Sequence, residues 1–251
     1  MRPLINKLKP ARGFSTIFHN GLLVLLPFVL FVVRQLGTQF VAISLLLVLL
    51  SKWRMFAVRP RFWFTLIRAN AVDLIVGFSV VIFMQHSSGV LIQLMWAVLY
   101  AAWLLFLKPG TGIFPISAQA FIGQLVGLMA LFIVGANAPT ALLVLASGII
   151  CAASARHFFE SFEEPYSKML AYMWGYFAAA LVWILSHWLL YYGPVSQAAV
   201  LISTVGYGVA ALYYFDHNGK LSLLLRRQFV FIMLATVIVI ITFSDWGDKV
   251  I

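Results

Sequence analysis

Apolar positions in this chain come in long runs separated by short polar breaks. A membrane-spanning helix needs about 20 apolar residues, with a range of roughly 17–25. Nine runs reach or approach that length: Ile17–Val33, Leu36–Leu50, Ala69–Met84, Gly89–Leu107, Ile113–Gly135, Thr140–Ala155, Met169–Tyr192, Val195–Phe215 and Gln228–Phe243. The breaks carry turn chemistry, at Ser87-Ser88-Gly89, Pro109-Gly110, Pro139, Gly193-Pro194 and Asn218-Gly219. The first two runs are divided only by Arg34-Gln35, with Gly37 nearby, so they read either as two spans or as a re-entrant hairpin. The expected fold is therefore all-α, a polytopic transmembrane bundle of about nine spans, or seven plus a hairpin, forming one domain over residues 1–251.

Charge gives the bundle a side. With the N-terminus in the cytosol, fifteen of the seventeen Lys and Arg residues fall on one face. They occupy a leading basic segment (1–16) and cytosolic loops over 52–68, 156–168 and 216–227, with Lys108 between. Only Arg34 and Lys249 fall opposite. This asymmetry follows the positive-inside rule and puts the C-terminus outside. The third and seventh runs end near His86 and His187, and the fourth and eighth end in Phe106-Leu-Lys-Pro-Gly110 and Phe215-Asp-His-Asn-Gly219. A parallel repeat of four plus four spans with one extra helix would fit.

Composition excludes a soluble domain. Hydrophobic residues make up 63% of the chain and charged residues 10%, where a soluble protein carries about a quarter charged residues. The net charge of +10 is accounted for by membrane-flanking loops, so the partners expected are the bilayer and its anionic headgroups, with room for a membrane protein partner and none for nucleic acid. The single cysteine, Cys151, lies in an apolar run and reads as a helix-packing residue. The basic start lacks a small-residue cleavage site and reads as retained, which favours a bacterial inner (plasma) membrane location.

A few residues carry candidate chemistry. Gly123 and Gly127 form a GxxxG pair suited to close helix packing, with Gln119 on the same face. Gln124 lies roughly 16 Å into its span, near mid-membrane. Asp73 is the only acid within a predicted span, close to the cytosolic edge, where an arginine of the basic loop could pair with it. Arg54, Arg59 and Arg61 alternate with aromatics in the 52–68 loop and could hold a lipid phosphate or an anionic substrate. Gln119, Gln124, Asp73 and these arginines are the candidate substrate or lipid contacts.

His157, Glu160 and Glu164 share one helical face, and Asp216 and His217 are expected on the same side of the membrane. They form a candidate interfacial acid–base or metal cluster. Glu163-Glu164-x-x-x-Lys168 followed by Trp183-x-x-x-His187 resembles a fragment of the CAAX-type intramembrane protease pattern. The expected sidedness puts the glutamates and His187 at opposite faces, so no protease site is expected. Histidines near the membrane edges disfavour a haem pair, and nucleotide-binding, serine-hydrolase and zinc-finger spacings are absent. No cofactor is expected. The function these features lead us to expect is a permease or flippase-like carrier of a neutral, apolar or lipid-like substrate. The alternatives are a non-catalytic subunit of a membrane complex and an enzyme acting at the cytosolic interface.

Overall fold

The computed structural model describes residues 14–110, 112–135, 138–186 and 196–243, with residues 14–20 and Arg54 described through their backbone alone. Among these residues every regular element is helical. The helices are α1 (Phe14–Leu36), α2 (Val41–Leu50), α3 (Trp63–Ala69), α4 (Ala71–His86), α5 (Val90–Ala102), α6 (Ile113–Val134), α7 (Thr140–Glu160), α8 (Ser167–Leu185), α9 (Gln197–His217) and α10 (Leu223–Phe243). Six helical stretches are long and apolar enough to cross a membrane: α5 with its continuation to Leu107, and α6 through α10. A seventh is reached if Pro60–Ala69 and Ala71–His86 count as one span bent by 68°. The apolar helices Gly21–Leu36 and Thr38–Leu50 are shorter.

Local chemistry sets the breaks. Gly37, at φ 142°, turns α1 back on α2 in a backbone region that side chains avoid. The stretch 52–68 is more ordered than a loop. It holds short 3-10 turns at Trp53–Met55 and Pro60–Phe62 and then α3. Trp63 donates its indole N–H to the Val58 carbonyl at 2.9 Å and meets Phe56 edge-on. Asn70, which the hydropathy pattern does not flag, marks the bend into α4 and donates its side-chain amide to the Leu66 carbonyl. At the end of α9, Gly219 takes φ 64° and its N–H reaches the Asp216 carbonyl, closing the turn into α10.

The helices assort into two groups. Leu30, Val48, Val81, Met84 and Tyr100 form a buried core among α1, α2, α4 and α5. Leu128, Leu143, Cys151, Val182 and Ile202 form a second core among α6 to α9. The seam between them runs along α6, where a Cβ on Gly123 would sit 2.8 Å from the Val72 side chain, and one on Gly127 would crowd Ile75 and Ile150. The GxxxG glycines thus lie where α6 meets α4 and α7. The tightest approach is α7 on α8: a Cβ on Gly175 would stand 2.7 Å from the Gly148 carbonyl oxygen. Outward positions are apolar, with Leu91 81% and Phe114 80% exposed, a surface suited to lipid rather than water. Helix α10 has no buried residue and rests chiefly on α9.

Candidate functional site

Hydrogen bonds and ion pairs divide the bundle into two ends. At one end Arg34, closing α1, donates to the Met84 and Gln85 carbonyls at 3.2 and 3.4 Å, capping α4. Gln35 donates to Gln93, which in turn donates to the Ser87 carbonyl. These bonds satisfy carbonyls that a helix end leaves unpaired and hold the ends of α1 and α4 level with the start of α5. His86 lies at this end, while His187 and Lys249 lie outside the described residues.

Most of the charge gathers at the opposite end. The Asp73 carboxylate accepts from Lys52 Nζ at 2.7 Å, pairs with Lys108 Nζ at 3.1 Å and accepts from the Trp103 indole at 3.3 Å. Two cations for one anion leave the cluster with excess positive charge, and Lys52 is almost fully buried. Its burial, reinforced by Lys108, lowers its pKa to about 8 against the opposing pull of Asp73. Asp73 thereby joins the end of α2, the start of α4 and the end of α5, where residues Trp103–Leu107 form a π-turn. Gln119 donates from its amide to the carbonyl of Leu107, the last residue of that turn, and to that of Gly110 at 3.4 Å. That leaves Gln119 Oε1 facing His157 Nε2 at 2.8 Å, which makes the imidazole the donor.

The five residues of the candidate interfacial cluster divide among separate contacts. Glu160 is held by Arg156 at 2.6 Å, one helical turn away. His157 is taken by Gln119. Glu163 adopts φ 58°, and the neighbouring Glu164 is buried, with its Oε2 3.5 Å from His217 Nδ1. Asp216 is exposed at the end of α9. Among the described residues no three of His, Cys, Asp and Glu converge as metal ligands would. Arg59 and Arg61 are exposed, with the Arg61 guanidinium 4.6 Å over the Phe62 ring. The side chain of Arg54 lies outside the described residues.

The feature that hydropathy and charge did not reveal is a cavity of about 600 Å³ between α6, α7, α8 and α9. It occupies the half of these helices nearer the charged end. Along α6 its lining extends from Ile113 to Gln124, roughly 16 Å of helix. Phe121, Phe158, Phe159 and Trp174 wall it. Phe114, Phe177 and Tyr207 line it while remaining substantially exposed, so one flank of the cavity reaches the outer surface of the bundle. Among the described residues, no Asp, Glu, Lys, Arg or His belongs to its lining.

Gln124 sits at the inner end, where its Oε1 accepts from the Trp174 indole at 2.9 Å and its amide nitrogen reaches the Ile202 carbonyl at 3.4 Å. Gly206 makes room for this pair: any Cβ there would overlap Trp174 and stand 3.0 Å from the Gln124 amide nitrogen. Sequence reasoning singled out Gln124 by its depth but passed over Trp174, Gly206, Ser154 and Ser203. A small residue facing an aromatic across two helices leaves no mark in either helix alone.

The fold and these contacts define a class: an all-helical membrane-type bundle with an apolar, aromatic-walled cavity beside a charged end. No family model, curated protein or solved structure matches the chain.

Proposed function

We propose that the protein is a permease or flippase-like carrier of a neutral, apolar or lipid-like substrate. The observation that carries this reading is the charge-free cavity between α6 and α9, whose volume is of the size that small-molecule sites use. Its exposed aromatic flank suits a molecule arriving from the lipid phase. In this reading the N-terminus and the charged end are cytosolic and the C-terminus is outside. The nine apolar runs then form nine spans, or seven with α1 and α2 as a hairpin. A four-plus-four repeat followed by α10 is consistent with the two separate cores. Arg59 and Arg61 rest against anionic headgroups of a plasma membrane, the bacterial inner membrane fitting best.

Proteoliposomes containing the purified chain test the carrier reading. Flux of a panel of radiolabelled uncharged solutes and fluorescent lipids is measured with the wild type and Gln124→Leu. Selective flux that the variant loses supports a carrier; absence of protein-dependent flux for every member of the panel overturns it. One observation favours a second reading, a subunit of a membrane complex: α10 contributes no buried residue to the bundle. Purification in mild detergent would then recover a stoichiometric partner, and a lone monodisperse protein would count against it.

A further inference from the structure

We propose that Gln124, Ser154 and Ser203 form a recognition site for one uncharged oxygen group, a hydroxyl or carbonyl, on an otherwise apolar molecule occupying the cavity. This deepens the carrier reading by naming the chemistry of the substrate, and it rests on that reading only for transport.

The serines carry the first argument. A serine inside an apolar helix ordinarily returns its hydroxyl to a carbonyl one turn back. Ser79 and Ser117 do this, each at 2.7 Å, and so does Ser87 just past the end of α4, at 2.6 Å. Ser154 and Ser203 do not: both line the cavity, both are almost completely buried, and neither hydroxyl has a hydrogen-bond partner. A buried polar group left unpaired calls for an explanation. Ser44, Ser147 and the Tyr100 hydroxyl are unpaired as well but do not line the cavity; they serve as controls.

Gln124 supplies the second argument. The Trp174 indole fixes its oxygen as an acceptor, which directs the amide nitrogen away from α8. That nitrogen carries two donors and has only one long bond, to Ile202. Ser154 lies beside Gly123, the residue before Gln124, with its hydroxyl 3.8 Å from where a Gly123 Cβ would stand. Ser154 on α7 and Ser203 on α9 line the same cavity as the Gln124 amide on α6, which has hydrogen-bonding capacity to spare.

The walls decide the charge of the ligand. An ionised group brought among Phe121, Phe158 and Trp174 would lose its hydration with no opposite charge in the lining to replace it. A hydroxyl or carbonyl needs only the bonds that the inner end can make. The remainder of the ligand must be apolar, because the aromatic walls would fill most of their contact with hydrocarbon or ring surface.

Photolabelling in lipid nanodiscs tests the site. The full chain is labelled with a diazirine-bearing long-chain alcohol, and labelled peptides are mapped by mass spectrometry. Competitors share one tail and differ in head: alcohol, methyl ketone, carboxylate and trimethylammonium. Labelling should fall on α6, α7 and α9, and the alcohol and ketone should displace it while the charged analogues do not. Ser154→Ala combined with Ser203→Ala should weaken binding about tenfold, the effect of losing one hydrogen bond of ordinary strength. Ser147→Ala should leave it unchanged.

Ala120→Phe, which fills the cavity from another wall, should abolish labelling and keeps the test decisive if the double variant folds poorly. Equal displacement by the carboxylate, labelling unchanged in the double variant, or labelling confined to the outer surface would each overturn the site. Labelling of the expected pattern without flux of any compound leaves the site standing and removes the carrier. Flux indifferent to the oxygen group does the reverse.

Discussion

In the first group of helices, α1, α2, α4 and α5, the centre is filled. Tyr100 reaches across to Gly77, where a Cβ would meet the phenol oxygen at 2.7 Å and the Val48 side chain at 2.6 Å. The charged end of this group is tied by Lys52, Asp73, Lys108 and Trp103. In the second group, α6 to α9, a glycine meets an aromatic again, Gly206 against Trp174, yet the space beyond the ring stays open. Its charged end is held by a neutral contact, His157 to Gln119 at 2.8 Å between α7 and α6, and by Glu164 with a half-exposed His217 at 3.5 Å. Both groups contain unpaired hydroxyls, so those alone do not separate them; Ser154 and Ser203 differ in lining the cavity. The difference teaches that one group is built as a fixed body and the other as a container. The proposed carrier would need both, since a moving or loading element must work against something that stays put.

The strongest way to break the comparison is Asp73→Asn. It leaves Lys52 and Lys108 buried or half-buried without their anion, which costs roughly 3–5 kcal/mol when one partner of a buried ion pair is removed. Glu164→Gln should change stability by no more than about 1 kcal/mol, the net worth of an ordinary hydrogen bond, because its ion-pair partner is distant and partly exposed. Thermal unfolding of the two variants in one detergent checks this. Equal losses would mean that the two ends are held alike.

A pH series sharpens the same point. The pKa of Lys52 is lowered to about 8 in the folded protein from an ordinary 10.5. Between those values the unfolded chain binds the proton and the folded chain does not, so stability rises with pH across the window. Below about pH 8 both states are protonated and this dependence ends. The slope is on the order of 1 kcal/mol per pH unit where the titration is complete in the folded state. Comparing the wild type with Lys52→Met isolates the contribution from other titrating groups; identical slopes would show that Lys52 is not the source.

Within the second group the rigid seam is α7 on α8. Gly175→Ala places a methyl against the Gly148 carbonyl and Ala152, neither of which can rotate away. The helices must separate, at a cost of roughly 1–3 kcal/mol for overpacking. Gly89→Ala, at an open position with only the tip of Ile92 nearby, should cost less in the same unfolding measurement. A loss at Gly175 no greater than at Gly89 would mean that this seam is loose.

The contrast also explains which parts were legible in the sequence. Long apolar runs announce helices because a membrane leaves the backbone no other way to satisfy itself, and the nine runs are mostly helical over their described residues, although Leu36–Leu50 is interrupted at Gly37 and Ala69–Met84 at Asn70. Asp73 announced a basic partner for the same reason of cost, although the partners are Lys52 and Lys108 rather than an arginine of the loop. The cavity was not legible, because Phe158 or Trp174 looks the same in a sequence whether it fills a core or lines a void. The bend at Asn70 was hidden too, since the apolar pattern continues across it. The α7–α8 seam left a signal, small residues at Gly148, Ala152, Gly175 and Ala179, but it is legible only when two helices are read against each other.

A small effect on stability belongs to the change aimed most directly at the container. Gly206→Ala puts a methyl where the edge of the Trp174 ring now lies. The ring is the end of a side chain beside open space, so it can swing into the cavity instead of forcing α8 and α9 apart. The cost is then the Trp174–Gln124 hydrogen bond, about 1 kcal/mol, offset in part by the void that the ring fills. Gly77→Ala in the first group has no such escape, because Tyr100 and Val48 are fully buried, and it should destabilise by more. The two alanines therefore differ in what they damage: the first should unfold near the wild-type temperature but lose flux and photolabelling, and the second should lose stability. Should Gly206→Ala lower the unfolding temperature as far as Gly77→Ala does, the second group is packed as firmly as the first, and the distinction between body and container fails.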